Sequence, residues 1–431
     1  MPAPDPDERT IPGTPGEPMV KERPTARWFD PAGLPENPLP DGWGFMQRGQ
    51  IYETSLEEIQ TLAKSGPGEI LWNGKLERPS ISIVAAPGEK HLVAAADRPE
   101  LRPMLLEANE ARLKATLKKS AKLFFPMAAL AVVTYFVVSD SPVVSLLFLM
   151  FAANGAFPYF SSLIQLRRLR KQPDRFLADL SSEVRYSVWL SLAGNRGARR
   201  TNWLVGAWVV VFLAQLVALY RSGALDSVDL MTLGGTGPRP DIAVAGLVKS
   251  LVPAEPWRLL TAATMHAGLL HLLMNVLVMM GLSVQLERGI HRYFVALVWL
   301  LGAVVGNLAS WYSVPNPSLG ASGGIAAVFG YLLVTGWVCH RILPPGYFGR
   351  LAANLVFMCV LGYLGRDIID NSAHLGGLIT GCAIALLTFC RGPRSLPLQD
   401  QAWLTAVGRV SEVATLLVVL FTILQLVLLR S

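Results

Sequence analysis

Charge is what this chain has least of. Its 38 Lys or Arg and 31 Asp or Glu make up 16% of 431 residues, against about 25% in an average soluble domain. The shortage is concentrated: residues 123–139, 141–166, 201–220, 259–286, 293–340, 371–390 and 413–429 contain no Asp, Glu, Lys or Arg at all. An uncharged apolar run of roughly 18 residues or more reads as a membrane span. A soluble globular enzyme is excluded, and so is a protein with a single anchor. Cysteine is also sparse. Cys339, Cys359, Cys382 and Cys390 all fall in apolar segments without metal-ligand spacing, so they read as packing residues. The chain lacks His-Glu-x-x-His, which removes the commonest helical zinc signature. No leader-like apolar stretch opens it, and the first 42 residues hold 11 of its 30 prolines. They are expected to be a disordered cytoplasmic tail.

What is present divides the chain further. Residues 43–122 are expected to form a small cytoplasmic α+β region. Ser55 and Glu58 make a capping box ahead of the periodic Leu56, Ile59, Leu62 and Ala63. Strand-like runs follow at Glu69–Trp72 and Ser80–Ala85, with Pro87-Gly88 as a turn. A helical stretch then ends in Lys114, Lys118, Lys119 and Lys122, a basic approach to the bilayer.

Nine apolar segments come next, near 123–139, 142–166, 202–220, 260–283, 293–312, 320–340, 351–366, 371–390 and 411–429. The first two (123–166) are predicted to be a transmembrane hairpin turning at Asp140-Ser141-Pro142. The connector 167–200 carries nine basic residues against three acids, and loop 222–257 carries two against four. The positive-inside rule therefore puts the connector in the cytoplasm and the loop outside. The net charge of +7 follows from these basic flanks and does not imply nucleic acid. A core over 201–391 and a last segment within 392–431 complete an all-α polytopic membrane protein.

Polar groups inside a bilayer are costly and usually functional. They occur here in few places. His266, His271 and Asn275 lie at the entry of the fourth segment, and His271 and Asn275 share one helix face. Gly320-Ala-Ser322-Gly-Gly opens the sixth, and Asp370-Asn-Ser-Ala-His374 with Gly376 and Gly377 opens the eighth. The charge argument makes these three segments parallel, which puts His271, Ser322 and His374 near one outer face. Small residues such as Gly377 and Gly381 let helices approach closely in lipid. A hydroxyl and an imidazole on two such helices suit a Ser–His nucleophile pair. Free N–H groups at the start of a helix suit an oxyanion, and His271 and Asn275 can add side-chain donors. Asp370 sits at the membrane surface, so a pair without a third member is expected.

These residues, together with Trp257-Arg258 in the long loop, resemble the rhomboid family of intramembrane serine proteases over roughly 200–390. The resemblance implies a six-helix core, with Ser322 as nucleophile and His374 as general base. It assigns His271, Asn275 and the Ser322 backbone N–H to the oxyanion hole. Gly320 leaves backbone room for substrate, and His266, Trp257, Arg258, Gly377 and Gly381 support the site. It implies no cofactor and no metal. The partners it implies are transmembrane protein substrates in the lipid bilayer, and region 43–100 is left for a cytoplasmic partner. The hairpin and the last helix lie outside the six-helix core.

One position departs from the pattern. Many rhomboids carry an aromatic ring four residues after the serine, where this chain has Ala326, with Phe329 one turn further on. A looser base, and slower turnover, is the expectation. The alternative reading is an inactive relative that binds membrane clients. A transporter would place its polar groups nearer the midplane. A plasma membrane in a bacterium, with the N-terminus cytoplasmic and the site opening outward, is the simplest location.

Overall fold

The computed structural model describes residues 34–47, 50–64, 82–137, 155–193, 198–225, 239–340, 343–366, 369–390 and 402–428. The expected run Glu69–Trp72, the hairpin turn at 140–142 and the tail 1–33 lie outside them. The chain separates into two compact units, residues 1–195 with 341–346, and residues 196–340 with 347–431.

The first unit carries a four-stranded antiparallel sheet. Strands β1 (Trp43–Gln47) and β2 (Gln50–Thr54) form a hairpin in the register Trp43↔Thr54 to Gln47↔Gln50. With β3 (Ile83–Ala85) and β4 (Val93–Ala94) the order is β2-β1-β3-β4. Helix α1 (Leu56–Lys64) starts where the capping box predicts, and the Glu58 N–H donates to Ser55 Oγ at 3.2 Å. The box closes differently on its other side, where the Glu58 carboxylate accepts from the Thr54 hydroxyl. Phe45, Ile59, Val84, Leu101 and Leu105 build the core between sheet and helices. The helix expected over 104–122 and the first apolar segment prove to be one continuous rod, α2 (Arg102–Val137), which runs through Pro126. Helices α3 (Phe157–Lys171) and α4 (Pro173–Ala193) follow, parted at Gln172 by a proline that favours a new first turn.

The second unit is helical. Its principal helices are α5 (Arg199–Arg221), α8 (Leu269–Gly289), α9 (Phe294–Ser313), α10 (Ser322–Val338), α11 (Tyr347–Leu364), α12 (Asn371–Phe389) and α13 (Ala402–Val427). Two short helices, α6 (Pro240–Ala245) and α7 (Arg258–Thr261), lie in the long loop between α5 and α8. Among the described residues, α5, α8, α9, α12 and α13 are long and apolar enough to cross a membrane, and α10 and α11 are shorter apolar helices. Six helices, α5 and α8 to α12, thus form the expected core, and α13 is the additional one.

Helices α9, α10 and α12 pack backbone against backbone. A Cβ placed on Gly381 would come 1.8 Å from the Ala327 carbonyl oxygen, so only hydrogen fits there. At the opposite end of α8, the Glu287 carboxylate accepts from the Arg200 N–H at 3.1 Å, the Thr201 N–H at 3.0 Å and the Thr201 hydroxyl at 2.7 Å. It thereby satisfies donors that the first turn of α5 cannot.

Candidate active site

The segment before α8 differs from the sequence reading. Helix is expected from about residue 260, but 258–264 make only short turns and α8 begins at Leu269. His266 therefore lies outside the helix, between extended Met265 and Gly268. The cause is Gln215, which stands in for a helical partner. Its Oε1 accepts the His266 N–H at 3.0 Å, and its Nε2 donates to the His266 carbonyl at 3.1 Å and to Asp241 Oδ2 at 3.0 Å. The His266 ring is fully buried beside Trp208, with a T-shaped contact to His271 at 5.4 Å.

His271, Ser322 and His374 all lie in the first turns of their helices, α8, α10 and α12. The three N-termini converge. His374 Nε2 lies 2.8 Å from Ser322 Oγ. Among the described residues no carboxylate bonds to the His374 ring. Asp370, one turn earlier, instead caps α12, with Oδ1 accepting the Ala373 N–H at 3.0 Å. The serine and both histidines are partly exposed, as a site that must admit substrate requires.

Both nitrogens of His271 are placed by neighbours. The Ala267 N–H points at His271 Nδ1 at 3.4 Å, which makes Nδ1 the acceptor and leaves the proton on Nε2. That nitrogen faces Gly320. A Cβ on Gly320 would stand 2.8 Å from His271 Cε1, 3.1 Å from Nε2 and 3.8 Å from Ser322 Oγ, and the residue has φ +137°. Both space and backbone conformation therefore require glycine. Asn275 is buried one turn below His271, and among the described residues its Nδ2 has no hydrogen-bond partner. An unpaired buried amide is costly.

Trp257 and Arg258 stand away from the hydroxyl and organise the loop. Arg258 is 3% exposed; its guanidinium donates to the Gly246 carbonyl at 2.8 Å, the Ala243 carbonyl at 2.7 Å and Glu255 at 2.6 Å. The Trp257 ring meets Phe421 of α13 edge-on at 5.3 Å. Gly377 and Gly381 form the seam of α12 against α10. Ala326 is buried, and among the described residues no ring stacks on His374, Phe329 included.

Sequence reasoning missed Gln215 and a polar cluster above the pair: Lys249, Ser310, Ser318 and Asp370. Gln215 had a signal, as the strongly polar residue in the middle of an otherwise apolar segment. The cluster had none, because serines and loop lysines are ordinary near a membrane surface.

A family model described as the Rhomboid domain matches residues 253–391. Over that third of its length the chain carries the domain of the rhomboid family. The match takes in every residue that converges on Ser322. "Rhomboid protease GluP" of Bacillus subtilis (strain 168) is 32% identical over 154 residues, 34% of this chain and 29% of that protein. "RHOMBOID-like protein 6, mitochondrial" of Arabidopsis thaliana is 30% identical over 141 residues, 31% of this chain and 44% of the relative. "Inactive rhomboid protein 1" of Homo sapiens is 35% identical over 146 residues, 32% and 17% of the two chains. The chain thus spans less than half the length of each of these relatives. Rhomboid relatives of both kinds, protease and inactive, share this domain.

Proposed function

We propose that this rhomboid protein is an intramembrane serine endopeptidase acting through a Ser322–His374 dyad. The observation that carries the reading is the 2.8 Å contact between His374 Nε2 and Ser322 Oγ, beside donors without other work. In this mechanism His374 takes the Ser322 proton as Oγ attacks the scissile carbonyl. The oxyanion is received by His271 Nε2–H, Asn275 Nδ2–H and the Ser322 N–H, strengthened by the positive end of α10. When the tetrahedral species collapses, His374 passes the proton to the leaving amine and an acyl group remains on Ser322. Water, deprotonated by the same imidazole, releases it.

The substrates are membrane-anchored proteins, cut near the outer face in a bilayer, with the N-terminus cytoplasmic and a bacterial plasma membrane as the location. Basic flanks at 167–200 and the acidic loop 222–257 support that orientation. A strand-like backbone must reach Ser322, so small or helix-breaking residues near the cut are favoured. Region 43–100 is the part suited to a cytoplasmic partner.

The inactive alternative draws support from Ala326 and from the relative named an inactive rhomboid protein. Labelling of the detergent-solubilised chain with a fluorophosphonate separates the two. The protease reading expects adduct on the wild type and none on Ser322→Ala or His374→Ala. A folded wild type that takes no label and cuts no transmembrane substrate would leave the client-binding reading standing.

A further inference from the structure

Above the Ser322–His374 pair, four side chains from four segments meet. Lys249 comes from the short turn 249–251, Ser310 from the last turn of α9, Ser318 from the stretch leading into α10, and Asp370 from the cap of α12. The Lys249 ammonium donates to Ser310 Oγ and, at 3.0 Å, to Ser318 Oγ. Both hydroxyls then donate to Asp370 Oδ2, Ser318 at 2.6 Å. Donors and acceptors match throughout: a cation with only protons to give, two hydroxyls that accept one and pass one on, and a carboxylate that only accepts.

The placement is what gives the network meaning. Ser318 lies four residues before Ser322, and Asp370 four before His374. The residues leading into the two dyad helices are therefore tied together one short step from Ser322 and His374 in the chain. The tie is anchored from the sides too. Ser318 pairs with Leu247 through both backbone bonds, 2.9 and 3.2 Å, and the Trp311 indole N–H donates to the Lys249 carbonyl at 3.1 Å.

We propose that Lys249 and Asp370, acting through Ser310 and Ser318, are positioning residues that hold His374 in register with Ser322. The proposal rests on the dyad reading above. Neither residue touches the reacting atoms, so neither is catalytic. The network does part of what a third triad member does elsewhere, fixing the base through its helix and not through its ring.

The charge on Lys249 makes the network sensitive to alkali. Burial pulls its amine down to about 8, against the opposing pull of the Asp370 charge. Burial alone would raise the Asp370 carboxyl. The Ser310 and Ser318 hydroxyls, the Ala373 N–H and the Lys249 charge together hold it below its ordinary value. Among the described residues no other charged group faces Lys249: α9 presents Ser310 and Trp311, the segment before α10 presents Ser318, and Glu255 is paired with Arg258. Lys249 is therefore charged below about pH 8 and neutral above it, and the network slackens as pH rises through that value.

The test is the rate of fluorophosphonate labelling of the full chain in detergent from pH 6 to 10, with thermal unfolding as a folding control. Wild type should lose rate near pH 8. Lys249→Met should label on the order of 10- to 100-fold more slowly at neutral pH, the scale of a small misplacement, and show no alkaline fall. Lys249→Arg, which stays charged, should keep the neutral rate and push the fall to higher pH. Asp370→Asn keeps an acceptor for the Ala373 N–H but removes the charge that supports Lys249, so its fall should move to lower pH. Lys249→Met with wild-type rate and profile, or Lys249→Arg still failing at pH 8, would overturn the positioning role alone. An unlabelled, folded wild type would bring down the dyad reading and this proposal with it.

Discussion

The carbonyl oxygen of Gly323 lies 1.9 Å from the point where a Cβ on Gly377 would stand. Serine and histidine are thus carried on helices that touch through main chain. Gly377→Ala should force α10 and α12 apart and slow fluorophosphonate labelling by on the order of 100-fold, since a misplacement near 1 Å can cost that much. Gly206→Ala in α5, where none of the described residues lies within 4 Å, is the control and should leave the rate unchanged. Equal rates for the two variants would show that the seam does not set the dyad geometry.

Asn275 gives a cleaner separation of activity from stability. Its Nδ2 has no partner among the described residues, so Asn275→Ala removes none of their hydrogen bonds to that nitrogen. Turnover of a transmembrane substrate should fall by about 10²–10³-fold, the loss typical of one oxyanion donor, while the unfolding temperature changes little. Steady-state cleavage beside a melting curve reads both.

Arg258 should behave in the opposite way. Arg258→Ala leaves the Ala243 carbonyl without its donor, at about 1–3 kcal/mol for a group left unsatisfied, while the Gly246 carbonyl loses one bond and keeps the Val248 N–H at 2.9 Å. A lysine in its place offers one ammonium where a planar fork served three acceptors, so Arg258→Lys should recover only part of the loss. Denaturation of the purified chain, compared across the three proteins, measures it. Activity should follow stability here, with no separate effect on the chemical step.

Ala326 invites replacement by the aromatic ring common in the family, but the site is already filled. Ala326 is 2% exposed, and a ring inserted into a packed interior costs typically about 1–3 kcal/mol. Ala326→Phe should therefore lower the unfolding temperature and not raise the labelling rate. A faster, equally stable variant would show room beside His374 that the packing does not suggest.

Much of the site was legible because lipid makes polar residues conspicuous. Ser322, His374, His271 and Asn275 stand out in uncharged runs, and their meeting at three helix starts follows from counting spans. The core helices were legible for the same reason. His266 was misread as helical, because its helix bonds are replaced by the side chain of Gln215 from a distant segment. No local pattern encodes such a substitution. The helical stretch over 104–122 and the apolar segment after it were read separately; the change from lysines to apolar residues at Lys122 is a change of side chains, not of backbone, and α2 runs straight through. Lys249 and Asp370 could not be paired from sequence, since the hydroxyls between them come from two further segments.

The length of α2 acts as a ruler. Its 36 residues rise about 1.5 Å each, or about 54 Å in all, while the hydrocarbon layer of a bilayer is about 30 Å thick. Only the part after Lys122 is free of charge, and the charged first part is about 30 Å long. Its foot is sewn into the sheet region by Leu105, and Arg170 of α3 braces its flank through Glu110 at 2.8 Å. The sheet region therefore rides on a stiff mast, not a tether. Anything that region grips is kept at a fixed height above the apolar end of the helix.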